Sequence, residues 1–360
     1  MDSITQLTAG AAVGEAVLGR TVGRKAMLWG AVLGTLPDLD VLIPVDGPVA
    51  EFVYHRGFSH SLFLLALVSP LAGWCIIRIH PTTRKYFKGW LLLALLVLQS
   101  GVLLDLLTVY GTRVLWPFDN TPLAWPVFFI VDPLFTIPLL AGCLAALLLS
   151  RVKLVGHRMN TAGLMLCLVY MLWAFGVREF SDHRVKEKLA RQEVDFSRLV
   201  STPAPFTTFL HRFVGMDGDT YFETYFSIFD GDAPLCVNTY PRNLALLRGL
   251  DEHPPVVKLQ WFTRGWYAAA REGEAVVIND LRMGSEPYYV FRFQVAMVDG
   301  TDLLPVEDEQ LETQIDPRQL RWVWKRIWKP MPVPSWASIS AGVHSRTRRE
   351  ALKPKSRRVP

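Results

Sequence analysis

Residues 61–79 form an apolar run that contains no charged side chain before Arg78. A helix rises about 1.5 Å per residue, so this run can cross the ~30 Å hydrocarbon core of a bilayer. Residues 90–110, 127–150 and 161–177 are similar, although Asp105 and Asp132 lie within two of them. The chain is 51% hydrophobic and only 20% charged. The sequence therefore predicts a polytopic α-helical membrane domain in which the internal carboxylates need partners.

Two segments near the N-terminus are weaker candidates for membrane spans. Residues 26–45 are interrupted by Pro37, and residues 4–19 are rich in Gly and Ala. The patterns Gly10-x-x-x-Gly14 and Gly30-x-x-x-Gly34 would let two helices approach closely. We count about six spans in total. No basic segment precedes the first apolar stretch, so we expect no cleavable signal peptide.

The short loops alternate between basic and nearly uncharged ones. The loops at 46–60 and 111–126 contain only Arg56 and Arg113 as basic residues. The other loops and their flanks carry ten: Arg20, Arg24, Lys25, Arg78, Arg84, Lys85, Lys88, Arg151, Lys153 and Arg158. Basic loops remain in the cytoplasm. We therefore expect a multi-pass protein of the bacterial inner membrane, with everything after residue 177 in the periplasm.

The second half of the chain has a different pattern. Residues 178–200 are typical of a charged helix, and residues 221–229 alternate as a strand does before an Asp-Gly turn. Short apolar runs at 256–262, 265–270, 275–278 and 288–297 suggest further strands of a small antiparallel sheet. We predict a helical membrane domain at 1–177, a small α+β, mainly β, extracytoplasmic domain at 178–334, and a basic, disordered tail at 335–360.

The residues able to do chemistry are histidines and carboxylates. Three of the four cysteines lie inside apolar runs and no Cys-x-x-Cys pair occurs, which excludes a disulfide scaffold or a cysteine knuckle. The expected topology instead brings polar groups from four segments to one membrane face. These groups are Asp38 and Asp40, His55 and His60, Asp105 with Thr108, and Asp132.

A mixture of carboxylates and imidazoles is typical of Zn, Mn or Fe sites. The proposed ligands are Asp38, Asp40, His55, His60 and Asp105. Whether they hold one metal or two stays open. Thr108 shares a helical face with Asp105 and could support it by a hydrogen bond. Gln6, Glu15 and Asp132 are further candidates for such support.

Each of these groups also has an ordinary structural interpretation. The two aspartates at 38 and 40 could cap a helix, and the histidines could be interfacial polar residues. Asp105 could pair with Arg56 or Arg113, and Asp132 before Pro133 could cap a helix. Because four costly polar groups would then have to meet by accident, we favour a functional site.

These motifs resemble those of a known family, the LexA-regulated, membrane-bound metal-dependent hydrolases (YdjM-like inner-membrane proteins). The likeness extends over about residues 1–177 and more loosely to Asp280-Leu-Arg-Met-Gly284. It rests on Met1-Asp-Ser-Ile-Thr-Gln6, Gly14-Glu-Ala-Val-Leu-Gly19, Leu36-Pro-Asp-Leu-Asp40, His55-Arg-Gly-Phe-Ser-His60, Leu104-Asp-Leu-Leu-Thr108, Tyr110-Gly111 and Ile130-Val-Asp-Pro133.

The resemblance implies a multispanning inner-membrane protein and a metal-dependent hydrolase, distantly similar to helical zinc-dependent phospholipase C and P1-type nucleases. That similarity suggests a phosphoester substrate. This chain departs from many members at Gln6, where they carry His. With one imidazole fewer, the metal preference could shift from Zn towards Mg or Mn.

The sequence thus predicts a metal-dependent hydrolase at the periplasmic face. A metal would activate water and polarise a phosphoryl oxygen, Asp40 would accept the proton, and Arg56 would steady the anionic product. A site at headgroup depth favours an amphipathic or lipid-linked phosphoester, with membrane lipids as further partners and no nucleic acid. The alternative is a non-enzymatic protein: a metal or proton transporter, or a scaffold whose β domain binds a partner.

Overall fold

The computed structural model describes residues 1–149, 154–300, 302–313 and 317–333. The predicted tail at 335–360 and the basic residues Arg151 and Lys153 lie outside the described residues. Within them, a helical N-terminal region is followed by a mainly-β domain, which confirms the predicted order.

The described part of the helical region is built around three antiparallel hairpins. Its helices are α1 (Ser3–Gly14), α2 (Arg20–Val22), α3 (Arg24–Thr35), α4 (Pro48–Tyr54), α5 (Leu62–Ile79), α6 (Phe87–Leu106), α7 (Pro133–Leu149) and α8 (Val155–Arg191). A π-helical turn, Glu15–Gly19, joins α1 to α2. The hairpins pair α1 with α3, α5 with α6, and α7 with α8.

The α1–α3 hairpin is held by the glycine pattern. A Cβ added to Gly10 would lie 2.2 Å from the carbonyl oxygen of Gly30, so the two backbones touch directly. Contact at this distance is possible only without side chains, which is the reason that small residues mark such interfaces. The close approach predicted from the sequence is therefore present.

Among the described residues, three helices are long and apolar enough to cross a membrane: Leu62–Ile79, Pro81–Leu106 and Val155–Arg191. Pro133–Leu149 is shorter. The span expected at 26–45 is shorter than predicted, because α3 ends at Thr35 and a 3-10 helix, Pro37–Leu42, follows it. Pro37 lacks the N–H that would continue the α-helix. The 37-residue α8 unites the apolar run at 161–177 with charged residues after it.

In its described residues, the β domain (198–333) contains two four-stranded antiparallel sheets and a two-stranded one. The first sheet has the order β1 (Arg198–Pro203), β2 (Leu210–Asp217), β3 (Thr220–Ser227) and β4 (Asn238–Pro241). The second contains β5 (Tyr267–Glu272), β6 (Ala275–Asp280), β9 (Arg292–Asp299) and β10 (Asp302–Gln310), in the order β10-β9-β6-β5. The short β7 (Gly284–Ser285) pairs with β8 (Tyr288–Tyr289).

Two helices, α9 (Pro254–Phe262) and α10 (Pro317–Trp328), complete the β domain. The strand predicted at 256–262 is wrong, because this segment is α9. Proline favours the first turn of a helix, and Pro254 begins this one. Val256, Leu259 and Phe262 then recur every third residue and are buried in the core, so the apolar run has helical periodicity.

The β domain packs directly on the helical region. The ring of Phe52 in α4 lies 4.8 Å from that of Phe262 and 5.2 Å from that of Phe293. The hydroxyl of Tyr110 donates to the carbonyl oxygen of Phe52 at 2.6 Å. The segment between α3 and α5, which carries His55, is therefore held beneath the β domain.

Candidate metal centre

Three side chains from separate segments meet at one end of the helical region. Asp38 lies on the 3-10 helix after α3, His60 ends the 3-10 helix Phe58–His60 before α5, and Asp105 lies in the last turn of α6. One ligand atom of each lies within 4.8 Å of the others. Because α3 and α6 both end here and α5 begins here, the antiparallel arrangement of the helices assembles the cluster.

The imidazole of His60 is the centre of this cluster. Its Nε2 lies 3.1 Å from Oδ1 of Asp38 and 3.3 Å from Oδ2 of Asp105. Its Nδ1 lies 3.0 Å from Oγ of Ser59 and 3.6 Å from a carboxylate oxygen of Asp40. One ring nitrogen thus faces the two carboxylates while the other is held by neighbouring groups, as in many metal-binding histidines.

The proton on His60 is favoured by the same carboxylates. Burial opposes the charged ring, but hydrogen bonds and charges from Asp105 and Asp38 raise the pKa of His60 above its ordinary value. The cluster therefore prefers a positive charge at this point. A metal cation would compete with that proton, so its binding should strengthen as the pH rises.

Asp40 and His55 form a second pair beside the cluster. Nδ1 of His55 lies 2.7 Å from Oδ1 of Asp40. The other oxygen of Asp40 accepts from the backbone N–H of Arg56 at 2.9 Å and from Oγ of Ser59 at 2.5 Å. Both carboxylate oxygens are thus engaged. The structure places Asp40 and His55 next to the three-residue cluster rather than within it.

Positive charge surrounds Asp105. Nη2 of Arg56 lies 2.9 Å from Oδ1 of Asp105, and the amine of Met1 also contacts this oxygen. Gln6 donates to Oδ2 at 2.9 Å. Nη1 of Arg56 donates to Oγ1 of Thr108 at 3.1 Å, and that hydroxyl donates to the Asp105 carbonyl oxygen. Gln6 therefore supports the Asp105 carboxylate, whereas Thr108 bonds the Asp105 backbone and Arg56 instead of that carboxylate.

Arg56 is not positioned as an exposed anion-binding group. Its side chain is buried and paired with Asp105, and its backbone has a positive φ of 59°. The alternative in which Asp105 pairs with Arg56 is thus present in the structure. This pairing does not exclude a metal, because the second carboxylate oxygen faces His60.

Two of the predicted supporting residues lie elsewhere. Glu15 is buried in the π-helical turn, and its Oε1 lies 3.5 Å from Nδ1 of His157. The prediction that Glu15 supports the metal centre is therefore corrected. Asp132 accepts from the backbone N–H groups of Leu134 and Phe135 and from the hydroxyl of Tyr170. It is therefore the helix cap of the alternative interpretation, and its assignment is corrected too.

A cavity of about 460 Å³ opens beside the Asp40–His55 pair. Its polar lining includes Glu51 and Arg113 besides that pair. The remaining lining is mostly apolar: Val41, Ile43, Val45, Tyr54, Phe58 and Trp116. Val41, Ile43 and Phe58 are also substantially exposed. The cavity thus combines a polar end at the site with an apolar wall.

Sequence analysis missed three residues of the site. Ser59, inside the His-Arg-Gly-Phe-Ser-His motif, was given no role, and Arg113 was considered only as a possible ion-pair partner of Asp105. The Tyr110 ring packs 5.4 Å from the His55 ring, and the Arg56 guanidinium lies 5.1 Å from its centre. Tyr110 stands next to a motif glycine, which was the available signal.

Comparisons with known proteins agree with the motifs that form this site. The sequence matches the family model of the YdjM inner membrane protein over residues 1–181, half of the chain. The chain belongs to the YdjM inner membrane protein family. This membership confirms the resemblance drawn from the motifs, and the matched region contains all the residues of the metal cluster.

A curated relative is the uncharacterized protein YfhP of Bacillus subtilis (strain 168). It is 28% identical over 149 residues, which cover 39% of this chain and 45% of the relative. The chain therefore spans about half the length of the curated relative it matches. No solved structure matches. Membership of the YdjM family thus establishes an inner membrane protein, and the chemistry has to be argued from the site itself.

Proposed function

We propose that this protein is a membrane-bound, metal-dependent hydrolase that acts on an amphipathic or lipid-linked phosphoester. The observation that carries the proposal is the cluster of Asp38, His60 and Asp105 beside the Asp40–His55 pair at the wall of a partly apolar cavity.

The three side chains fit a divalent cation. Ligands about 2.1 Å from a tetrahedral ion lie roughly 3.4 Å apart, and the His60 nitrogen lies 3.1 and 3.3 Å from the two carboxylate oxygens. One imidazole and two carboxylates suit Zn or Mn, and the predominance of oxygen also admits Mg. A bound cation would supply Lewis-acid activation of water and of a phosphoryl oxygen.

His55 is the residue best placed to accept a proton. Asp40 holds its Nδ1, so Nε2 is the nitrogen available to act as a base, as in other carboxylate–histidine pairs. His55 lines the cavity, and its side chain is 22% exposed. We therefore assign the general-base role to His55, and to Asp40 the role of orienting it.

Arg113 replaces Arg56 as the proposed partner of substrate charge. It lines the cavity, and its guanidinium donates to Oδ1 of Asn120 and to the carbonyl oxygens of Val53 and Tyr54. These acceptors are neutral, so they leave its charge available for an anion. The apolar wall with Val41 and Phe58 would contact the apolar part of the substrate, which favours a lipid-like molecule.

We further propose that α1, α3, α5, α6, α7 and α8 all cross the membrane, with the metal centre and the β domain on the periplasmic side. Site residues follow α3, precede α5 and end α6, which agrees with alternating crossings. Transport is a weaker alternative. Transporters bind their substrates near the bilayer midplane on broken helices, whereas this cluster lies at helix ends.

The test is metal content and phosphodiesterase activity of the detergent-purified protein supplied with Zn, Mn or Mg. His60→Ala and Asp38→Asn should each lose bound metal and hydrolysis of a chromogenic phosphodiester together. His183→Ala is the matched control, because His183 is 73% exposed on α8 and pairs only with Glu187 among the described residues.

Retention of metal and activity in His60→Ala would refute the proposed centre. Bound metal without hydrolysis of any phosphoester would favour the transport or scaffold alternative instead. Asp38→Asn distinguishes loss of a metal ligand from loss of folding, because Asp38 is partly exposed and asparagine has the same shape.

A further inference from the structure

A second cavity, of about 430 Å³, lies between the β domain and the segment that precedes α7. Phe128 and Val131 line it from the helical region, and Phe206, Tyr225 and Trp322 line it from the β domain. Its volume falls within the range of about 300–1,000 Å³ that is typical of small-molecule sites. The metal centre uses none of these residues.

The wall of this cavity contains two buried guanidinium groups. Arg282 is held by Asp280, with Nη2 2.6 Å from a carboxylate oxygen. Arg212 pairs with Glu223 and donates from Nη1 to the Leu281 carbonyl oxygen at 2.8 Å. The Nε–H of Arg212 is buried and has no hydrogen-bond partner among the described residues.

The two paired carboxylates already balance both guanidinium charges. Since the lining is otherwise mainly apolar, the cavity suits an apolar occupant rather than a free anion.

The position of the cavity indicates where such an occupant would come from. Val131 lies two residues before the apolar helix α7. The rim carries Val131, Phe206 and Leu320, which are 39%, 47% and 41% exposed. The mouth is thus apolar and adjoins the apolar helix α7, which suits contact with lipid better than contact with bulk water.

Helix α10 supports this placement. Trp324 and Trp328 are exposed on it, as are the basic residues Arg321 and Lys325. Exposed Trp together with Lys or Arg on one helix is typical of the membrane–water interface. The same helix lines the cavity through Leu320 and Trp322. The cavity and an interfacial helix therefore share one element.

We propose that this cavity holds one acyl chain of a membrane phospholipid. The chain fills the apolar space between the helical region and the β domain, and it anchors the β domain to the bilayer surface. This site is distinct from the metal centre and does not depend on the proposed hydrolase activity.

Trp322 provides the readout. It is 9% exposed, and its Nε1 donates to the carbonyl oxygen of Pro332, so it is shielded from the bulk bilayer. Brominated acyl chains quench tryptophan fluorescence at short range. The full chain is reconstituted into vesicles of dioleoylphosphatidylcholine or of its dibrominated form, and Trp322→Phe is measured in parallel to isolate the Trp322 signal among the 12 tryptophans.

We expect the wild-type protein to lose more fluorescence in brominated vesicles than Trp322→Phe does. Val290→Asp places a carboxylate at the rim and should reduce the Trp322 quenching by more than half. Val257→Asp is the matched control, because Val257 is similarly exposed, 45% against 41%, but lies on α9 outside the cavity. The control should retain the quenching.

Equal quenching of the wild type and Trp322→Phe would overturn the proposal. Equal loss of quenching in both valine variants would also overturn it, because the effect would then not come from the cavity. Both valines are exposed, so circular dichroism and gel filtration should show folded protein in each case.

Discussion

The contact between α1 and α3 permits a quantitative prediction, because α1 carries Gln6 and the 3-10 helix that follows α3 carries Asp38. In Gly10→Ala the new Cβ would lie 2.2 Å from the Gly30 carbonyl oxygen and 3.1 Å from the Gly34 Cα, whereas ordinary contacts begin at 3.4 Å. The obstructing atoms are backbone and cannot rotate away. The helices must therefore separate by about 1 Å, and overpacking of this kind costs about 1–3 kcal/mol.

The matched control is Gly176→Ala in α8, where an added Cβ meets nothing within 4 Å. Both substitutions gain about 1 kcal/mol of helix propensity, so their difference isolates the steric clash. Thermal unfolding in detergent should give Gly10→Ala the lower midpoint, by roughly 2–4 °C for each kcal/mol. Its metal affinity should fall as well, because the separation moves Gln6 and Asp38 relative to Asp105.

Gly10→Ala unfolding at or above the temperature of Gly176→Ala would refute this account of the hairpin. Reduced stability with unchanged metal affinity would show that the hairpin is tight but that the site tolerates its displacement.

Three further predictions concern other parts of the molecule. His55→Gln should retain bound metal and lose activity, whereas His60→Ala should lose both; equal metal loss, measured by elemental analysis, would make His55 a ligand. Phe52→Ala should cost about 3–5 kcal/mol and expose the β domain to limited proteolysis, and unchanged protease resistance would contradict the packing described. Burial, and next the charge of Arg178, lowers the pKa of His211 to about 3 in the folded protein. In the unfolded chain His211 takes up a proton below about pH 6.5. The free energy of unfolding should therefore fall by about 2 kcal/mol from pH 7 to pH 5. His211→Gln should flatten that pH dependence in thermal unfolding, and an unchanged slope would assign it to other groups.

Local features of the sequence accounted for the division of the chain and for the tight hairpin. Uncharged apolar runs have no stable place outside a membrane or a core, so their helical nature was readable directly. Glycines spaced four apart likewise predicted the contact between α1 and α3, because only a missing side chain permits such an approach. The error at 256–262 arose where a short apolar run fits either a strand or a buried helix.

The site was only partly predictable. The motifs identified Asp38, His60 and Asp105, and an antiparallel order of helices was enough to bring them to one end. Residue type and motif position could not distinguish a ligand from its support. Asp38 and Asp40 lie on the same 3-10 helix but point in different directions. Asp38 faces His60 and Asp105, whereas Asp40 faces His55 and the backbone N–H of Arg56.

The sequence by itself determined the two unlike halves of this protein and the side chains available for metal chemistry, because hydropathy and donor type belong to each residue. Tertiary structure decided which of those side chains meet. Glu15 lies beside His157 and Asp132 caps α7, so neither residue belongs to the metal centre. The second cavity likewise exists only where the β domain meets the helical region, and contacts between residues distant in sequence create that arrangement.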